Sequence, residues 1–265
     1  MPRGLILYHS GTGNTKLLCS YMSRNMKHME FGTHDMGDGF PENIDAFDMV
    51  GFAAFTDYGG PSEFFLRYVR GLPEVKKVPS FVVNTYAGFS GHTLKVMKKE
   101  VEKKGFDVLA GHSVKMPENY PPSRKRGIKG DDNPDGKEMK KLDGFIRKLN
   151  DLSTTVNLEG DIRKEKVRIG LLNYLYRPAS RDKAGRKMGP KKVDESSCIR
   201  CGKCADVCVY GAIELDPLPV FEERSCFGCF ACYNLCPTGA ISTEKFKGDH
   251  RYTGPSEKLR RKLSY

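Results

Sequence analysis

The chain writes one cysteine pattern twice. The first copy runs Cys198-Ile-Arg-Cys201-Gly-Lys-Cys204-Ala-Asp-Val-Cys208, the second Cys226-Phe-Gly-Cys229-Phe-Ala-Cys232-Tyr-Asn-Leu-Cys236, and together they take eight of the nine cysteines. Thiolates at C-x2-C-x2-C-x3-C spacing wrap three corners of an iron–sulfur cube from one tight loop, while the fourth, carried past the loop, reaches the other cube. The spacing therefore assigns Cys198, Cys201, Cys204 and Cys236 to one [4Fe-4S] cluster, and Cys226, Cys229, Cys232 and Cys208 to a second. A disulfide framework and zinc sites are the rival readings of an even cysteine count. Cysteines this close in sequence rarely bridge without strain, and zinc ligand pairs usually stand farther apart than a triplet with a trailing fourth.

From about Asp194 to Thr243 the chain resembles the bacterial-type ferredoxins that carry two [4Fe-4S] clusters. Gly211-Ala212-Ile213 and Gly239-Ala240-Ile241, after the fourth cysteine of each copy, belong to the likeness. One departure is visible: Cys236 is followed by Pro237, as the pattern asks, but Cys208 is followed by Val209. A missing turn proline bears on the tuning of a cluster rather than on its ligands.

A length of 265 residues accommodates one ordinary domain plus a small one. The cysteine-rich part is too poor in apolar residues to fold without its metal. No apolar run is long enough to cross a bilayer, and Met1-Pro-Arg-Gly4 leads into a strand rather than an apolar signal core. Clustered thiolates favour a reducing, oxygen-poor compartment, so a cytoplasmic protein is expected. The formal charge of +11 is uneven: residues 163–192 hold eleven Lys and Arg against Glu165 and Asp182.

The first part alternates. Gly4–Tyr8 is a short apolar run of the kind buried in a parallel sheet. Ser10-Gly-Thr-Gly-Asn-Thr15 follows, and then Leu17, Leu18, Tyr21 and Met22 fall at helical spacing. Strand, small-residue loop and helix in that order make an anion cradle, with converging amides and the positive end of the helix. It is not a nucleoside-triphosphate loop, because Lys16 follows Thr15 rather than the last glycine. Asp48–Phe55, Pro79–Asn84 and Phe106–Ala110 read as further strands. Helices are expected near Ser62, near His92 and around Met139–Leu149. Five strands separated by helices imply an α/β, open doubly wound parallel sheet, whose crevice lies at the carboxyl ends of the strands. Two loops there, Thr56-Asp57-Tyr58-Gly59-Gly60 and Thr85-Tyr86-Ala87-Gly88, pair an aromatic with glycines, which suits a flat ring.

These three loops resemble those of flavodoxins, with the T/S-x-T-G-x-T phosphate loop complete at Ser10, Gly11, Thr12, Gly13, Asn14 and Thr15, over about Pro2 to Leu152. The resemblance implies FMN, with its phosphate in the first loop and its isoalloxazine ring between the later two, Tyr58 and Tyr86 stacking. It also implies that Gly59 or Gly60 turns a peptide toward the reduced ring. Read without the resemblance, the tyrosines are half-buried loop aromatics, His9 and His92 are hydrogen-bonded structural residues, and Cys19 is a buried inert thiol.

The expected division is a flavodoxin-like FMN domain at 1–152, a basic connector at 153–193, a two-[4Fe-4S] ferredoxin domain at 194–243 and a tail at 244–265. This order of parts resembles the flavodoxin–ferredoxin fusion proteins of anaerobic archaea and bacteria. The irregular Met116–Gly136 segment reads either as a lid on the flavin edge or as a solvated loop. The connector reads as interdomain packing, a membrane-surface patch or a dock for an acidic partner. No nucleic-acid module is present, and the tail is not legible.

The expected function is electron transfer between two [4Fe-4S] clusters and FMN, and on to redox partner proteins, a low-potential donor and an acceptor, with no residue assigned to catalysis. The alternatives are an FMN-dependent reductase of a quinone, disulfide or activated double bond, for which His92 and Tyr120 are proton-donor candidates, and an electron-transfer subunit of a larger oxidoreductase complex.

Overall fold

The computed structural model describes residues 2–155 and 188–264. The first unit is built on strands β1 (Arg3–Tyr8), β2 (Glu30–Asp35), β3 (Met49–Asp57), a two-residue β4 (Gly60–Pro61), β5 (Val78–Tyr86) and β6 (Phe106–Lys115). The parallel order is β2-β1-β3-β5-β6, with β4 folded back antiparallel on β3. This is the flavodoxin-like strand order, which reverses direction at β1 and β3 and so opens a crevice beside their carboxyl ends. Four of these strands have ranges in the sequence reading and a fifth is only implied, which is β2; β4 is additional, a hairpin return too short to carry a hydrophobic pattern.

Both faces of the sheet are covered, as continuous apolar strands demand. Alternate residues go to opposite sides. Ile6 and Tyr8 pack in one cluster with α1 (Asn14–Asn25) and the long helix Gly136–Thr155. Leu5 and Leu7 pack in the other with α2 (Glu63–Gly71) and α3 (Thr93–Glu102). Ser62 caps α2 by accepting from Phe65 N–H at 3.2 Å. Gly51 gives room at the sheet centre, since a Cβ there would stand 2.3 Å from the Phe81 ring. A short α4 (Pro121–Lys125) precedes the long helix, which is α5 and runs three residues past the boundary expected at 152.

The second unit begins at β7 (Lys191–Val193), which pairs antiparallel with β10 (Ile241–Thr243). Between them lie α6 (Lys203–Asp206), the hairpin β8 (Ile213–Asp216) and β9 (Leu218–Phe221), and α7 (Ala231–Leu235). Its small core is Met188, Phe230, Tyr233, Ile241 and Phe246 with Cys204 and Cys232. Most of the basic connector, residues 156–187, lies outside the described residues.

The tail has a structural task. Its helix α8 (Glu257–Lys262) returns to the first unit, and Leu259 and Leu263 enter the α1/α5 core cluster. Arg24 donates to the Leu263 carbonyl at 2.5 Å, and Lys262 donates to the carbonyls of Asp132 and Pro134. Leu263 is fully buried. Its replacement by alanine is therefore expected to destabilise the chain by about 2–5 kcal/mol, the usual cost of emptying a closed leucine site, read as a lowered urea midpoint of the full-length protein.

Candidate functional sites

The carboxyl ends of β1, β3 and β5 surround a pocket with ≈ 370 Å³ of empty space, walled by Ser10, Gly11, Thr12, Asn14, Thr15, Phe55, Thr56, Thr85, Tyr86, Ala87 and Met116–Asn119. Nine of the fifteen residues expected to hold FMN are on this wall. Gly13, at φ 97, makes the turn into α1 and provides no side-chain cap. Ser10 Oγ supplies one instead, accepting from Gly13 N–H at 3.2 Å and Lys16 N–H at 3.1 Å. Thr15 and Thr85 hydroxyls bond each other at 2.9 Å across the pocket floor. Among the described residues no lysine or arginine lines this pocket, and the nearest along the loop, Lys16, lines the adjoining cavity that shares Ser10, Gly11 and Thr12, so an anion here would meet hydroxyls, amides and the positive end of a twelve-residue helix. That donor set suits a phosphate held by neutral groups.

Gly13, Asp57, Tyr58, Gly59, Gly60 and Gly88 are not on the wall. The reason is the hairpin. Tyr58 (φ 51) and Gly59 (φ 85) make a tight left-handed turn that carries β3 into β4. The Gly59 carbonyl, one of the groups expected to turn toward a flavin, accepts from His92 N–H at 2.8 Å. Gly91 seals that contact, because a Cβ there would lie 2.2 Å from the same oxygen. Tyr58 meets Tyr120 edge to face at 5.5 Å. His9 is buried against Phe55 and Phe64. Cys19 is buried, and that burial pushes its thiol far up.

Met116–Gly136 reads in sequence as a lid or a solvated loop, and Met116–Asn119 is its first part. This part forms one wall of the pocket and belongs to a ring of hydrogen bonds spanning the chain. Asn119 Nδ2 donates to Thr12 Oγ1 at 3.0 Å, and Asn234 Nδ2 donates to the Asn119 carbonyl at 2.8 Å. Asn234 Oδ1 accepts from Tyr252 N–H at 3.0 Å. Tyr252 Oη donates to Asn14 Oδ1 at 2.5 Å, and Asn14 Nδ2 closes on the Pro117 carbonyl at 3.1 Å. Asn234 is completely buried between Cys232 and Cys236.

The eight cysteines gather in two groups. Cys198, Cys201, Cys204 and Cys236 line one cavity, and Cys208, Cys226, Cys229 and Cys232 line another, with ≈ 370 and ≈ 350 Å³ of empty space. Among the described residues no three potential ligands close on a single ion. The thiols stand around a space, which is the arrangement a cube needs and a zinc ion does not. Burial pushes the Cys229 thiol up to about 12 and Cys232 well above its ordinary value. Thiolates in this setting need compensating positive charge, and bound metal supplies it. The second group has a further source. Burial would lower the Lys191 pKa, but its hydrogen bond to Glu223 and its place beside Cys226 outweigh that and raise it.

The second group faces the first unit. Phe230, next to Cys229, packs on Tyr120 at 5.6 Å. Asp57 is among the charges that raise the Cys229 thiol. Tyr210 and Phe227, on the wall of the second cavity, reach Phe64 and Arg67 of α2. The first group faces outward: Cys201 is exposed and Ile199 is 63% exposed.

Residues 197–240 match the 4Fe-4S dicluster domain family. No curated protein matches the chain by sequence. Among solved structures the chain is similar to flavodoxin 2 from Bacillus cereus (13% identity, 56% of this chain and 98% of that one, TM-score 0.45). It is also similar to a flavodoxin from the domain Archaea (12%, 57% and 99%, 0.41). A third is a Fusobacterium nucleatum flavodoxin bound to flavin mononucleotide (16%, 57% and 98%, 0.42).

Two measurements bear on this geometry. Replacing Asn234 by leucine strands the Asn119 carbonyl and the Tyr252 N–H in the interior. Each orphaned group costs about 1–3 kcal/mol, so a fall in thermal midpoint well beyond that of an exposed asparagine substitution is expected. Glu118, on the pocket wall, has its carboxyl raised above 4.5 by burial, against amide bonds from Tyr120 and Asn119 that lower it. A raised folded value means stability that is complete below pH 4.5 and lost as pH climbs through the folded pKa. Glu118→Gln, which keeps the acceptor, should match the parent at low pH and exceed it increasingly above 4.5, as thermal midpoints across pH will read.

Proposed function

We propose that the chain is an electron-transfer iron–sulfur flavoprotein of the cytoplasm. In this reading it holds FMN in the β1/β3/β5 pocket and one [4Fe-4S] cluster in each cysteine group, and it works between a low-potential donor protein and an acceptor protein. When bound, the clusters supply one-electron exchange and FMN supplies one- or two-electron exchange. The observation that carries the reading is the run of ring contacts Tyr58–Tyr120–Phe230, at 5.5 and 5.6 Å, from the hairpin beside the pocket to the wall of the second cysteine cavity. These rings exclude water and hold the two sites in one packed body.

The chain's own residues favour an order. Cys201 and Ile199 are exposed, and Leu215 and Val220 nearby are large apolar side chains open to solvent, which suits a partner docking at the first group. Cys232 is buried and Cys229 half-buried, on the side of the first unit. A small acceptor would need room above the pocket, and on that side the Asn119–Asn234 bond joins the pocket wall to the second unit. This favours a carrier over a reductase.

The test is anaerobic purification of the full chain, with flavin extraction, iron and sulfide assay and electron paramagnetic resonance. Two cubane signals and one FMN per chain are expected, and a chain with neither flavin nor flavin affinity ends the reading of the first unit. The cysteine groups make a sharper forecast. Cys208→Ala and Cys226→Ala should remove the same signal, and Cys198→Ala and Cys236→Ala the other, whereas ligation within each sequence block would pair Cys208 with Cys198.

A further inference from the structure

Lys191 opens β7 and is almost wholly enclosed, its side chain 2% exposed. Its Nζ donates to Cys226 Sγ at 3.1 Å and to Glu223 Oε2 at 2.5 Å. Its backbone N–H donates to the other oxygen of the same carboxylate at 2.9 Å, and the ammonium lies 5.9 Å from the Phe221 ring centre. The backbone amides of Ala212 and Gly228 also reach sulfurs of this group, Cys208 and Cys226, at 3.4 Å. In the first group, among the described residues, the groups meeting a sulfur are neutral, the Thr238 hydroxyl 3.7 Å from Cys236 Sγ and the amides of Thr238, Ala240 and Ile241, while the cations there are the exposed Arg200 and Lys203 on the cavity wall and Arg251, which donates to the Cys236 carbonyl rather than to sulfur.

An added electron makes a thiolate-ligated cluster more negative. Burial penalises the more negative state, and a fixed cation at hydrogen-bond distance from one sulfur favours it. Because Lys191 is enclosed, salt screens it far less than a surface lysine. Glu223 keeps the ammonium aimed at the sulfur, and being 41% exposed it gives back only part of its own charge in opposition.

We propose that Lys191 sets the reduction potential of the second group, making it the more readily reduced of the two, so that electrons received at the exposed first group gather beside Tyr120 and the flavin pocket. The proposal rests on the cluster reading above. In this step one electron would leave the first group, oxidising it, and arrive at the second, reducing it, with no proton transferred.

The experiment is a potentiometric titration of the full-length protein by electron paramagnetic resonance, comparing the parent with Lys191→Met and Glu223→Gln. The second-group signal is the one that Cys208→Ala removes. Lys191→Met keeps an unbranched apolar stem, and it should lower that signal's midpoint by about tenfold in the reduction equilibrium, 59 mV for a one-electron couple. The first-group midpoint should stay where it is. Glu223→Gln keeps the acceptor but removes the opposing charge, and it should move the same signal upward. Unchanged midpoints in Lys191→Met, or equal shifts of both signals, overturn the proposal. Should Lys191→Met fail to assemble the second cluster, Glu223→Gln decides alone: an upward shift upholds the proposal and none defeats it. A parent protein without cubane signals refutes the cluster reading itself, an outcome distinct from all of these.

Discussion

One buried amide, that of Asn234, fixes how the two units meet. It lies on α7 between Cys232 and Cys236, donates to the Asn119 carbonyl and accepts from Tyr252 N–H. With no water to turn to, a buried amide holds its partners where they are. Asn119 in turn reaches Thr12, and Tyr252 reaches Asn14, so the strand-to-helix loop of the first unit is registered against cysteines of both groups. A flexible tether alone would raise the effective concentration of one redox site near the other without fixing their geometry. The ring of side chains does the second task. Leu259 and Leu263 reinforce it from behind by anchoring the tail in the α1/α5 core.

Burial then separates the two cysteine groups physically although their sequences are near copies. The first has an exposed Cys201 and open apolar neighbours; the second is closed in by Phe230, Met188 and Phe221. Closing in has a dielectric cost for any negative charge, and the residues around the second group answer it with Lys191 and two amides aimed at sulfur. The two halves of the repeated pattern are thus not interchangeable. Their difference runs along one direction, from solvent toward the crevice of the sheet.

Much of this was legible in sequence where the signal is local. Cysteine spacing alone divides the eight thiols into the same two groups that line the two cavities. The strand, loop and helix at Gly4–Met22 and the strands at Asp48 and Pro79 place the pocket floor. What was not legible depends on contacts between residues far apart. Asn119 and Asn234 are 115 positions apart, and Asn14 and Tyr252 are 238 apart. No periodicity or motif marks such pairs. Glycines near an aromatic in Thr56–Gly60 were read as a ring-binding surface, but the same composition serves a two-residue hairpin, and hairpin geometry carries Tyr58 away from the pocket wall toward Tyr120. Lys191 was counted with the basic connector, because charge in a sequence gives no sign of burial.

The repeated pattern also carries its own marker of which copy faces inward. Gly202 follows the second cysteine of the first copy at φ 73, a left-handed backbone that glycine adopts freely. The equivalent residue of the second copy is Phe230, held at φ 61. A bulky residue there stores about 1–3 kcal/mol of strain, and Tyr58, at φ 51, stores a similar amount at the other end of the ring contacts. Neither is an economical choice for a turn. Phe230 is compensated by Tyr120, Tyr233 and Phe246, each with ring centres within 5.8 Å, and Tyr58 by Tyr120. Two strained aromatics that converge on one tyrosine between the units are retained for where they put their rings. The outward-facing copy has glycine at this turn and holds its own left-handed non-glycine residue, Arg200 (φ 54), two positions earlier, where the inward-facing copy has Gly228 (φ 63).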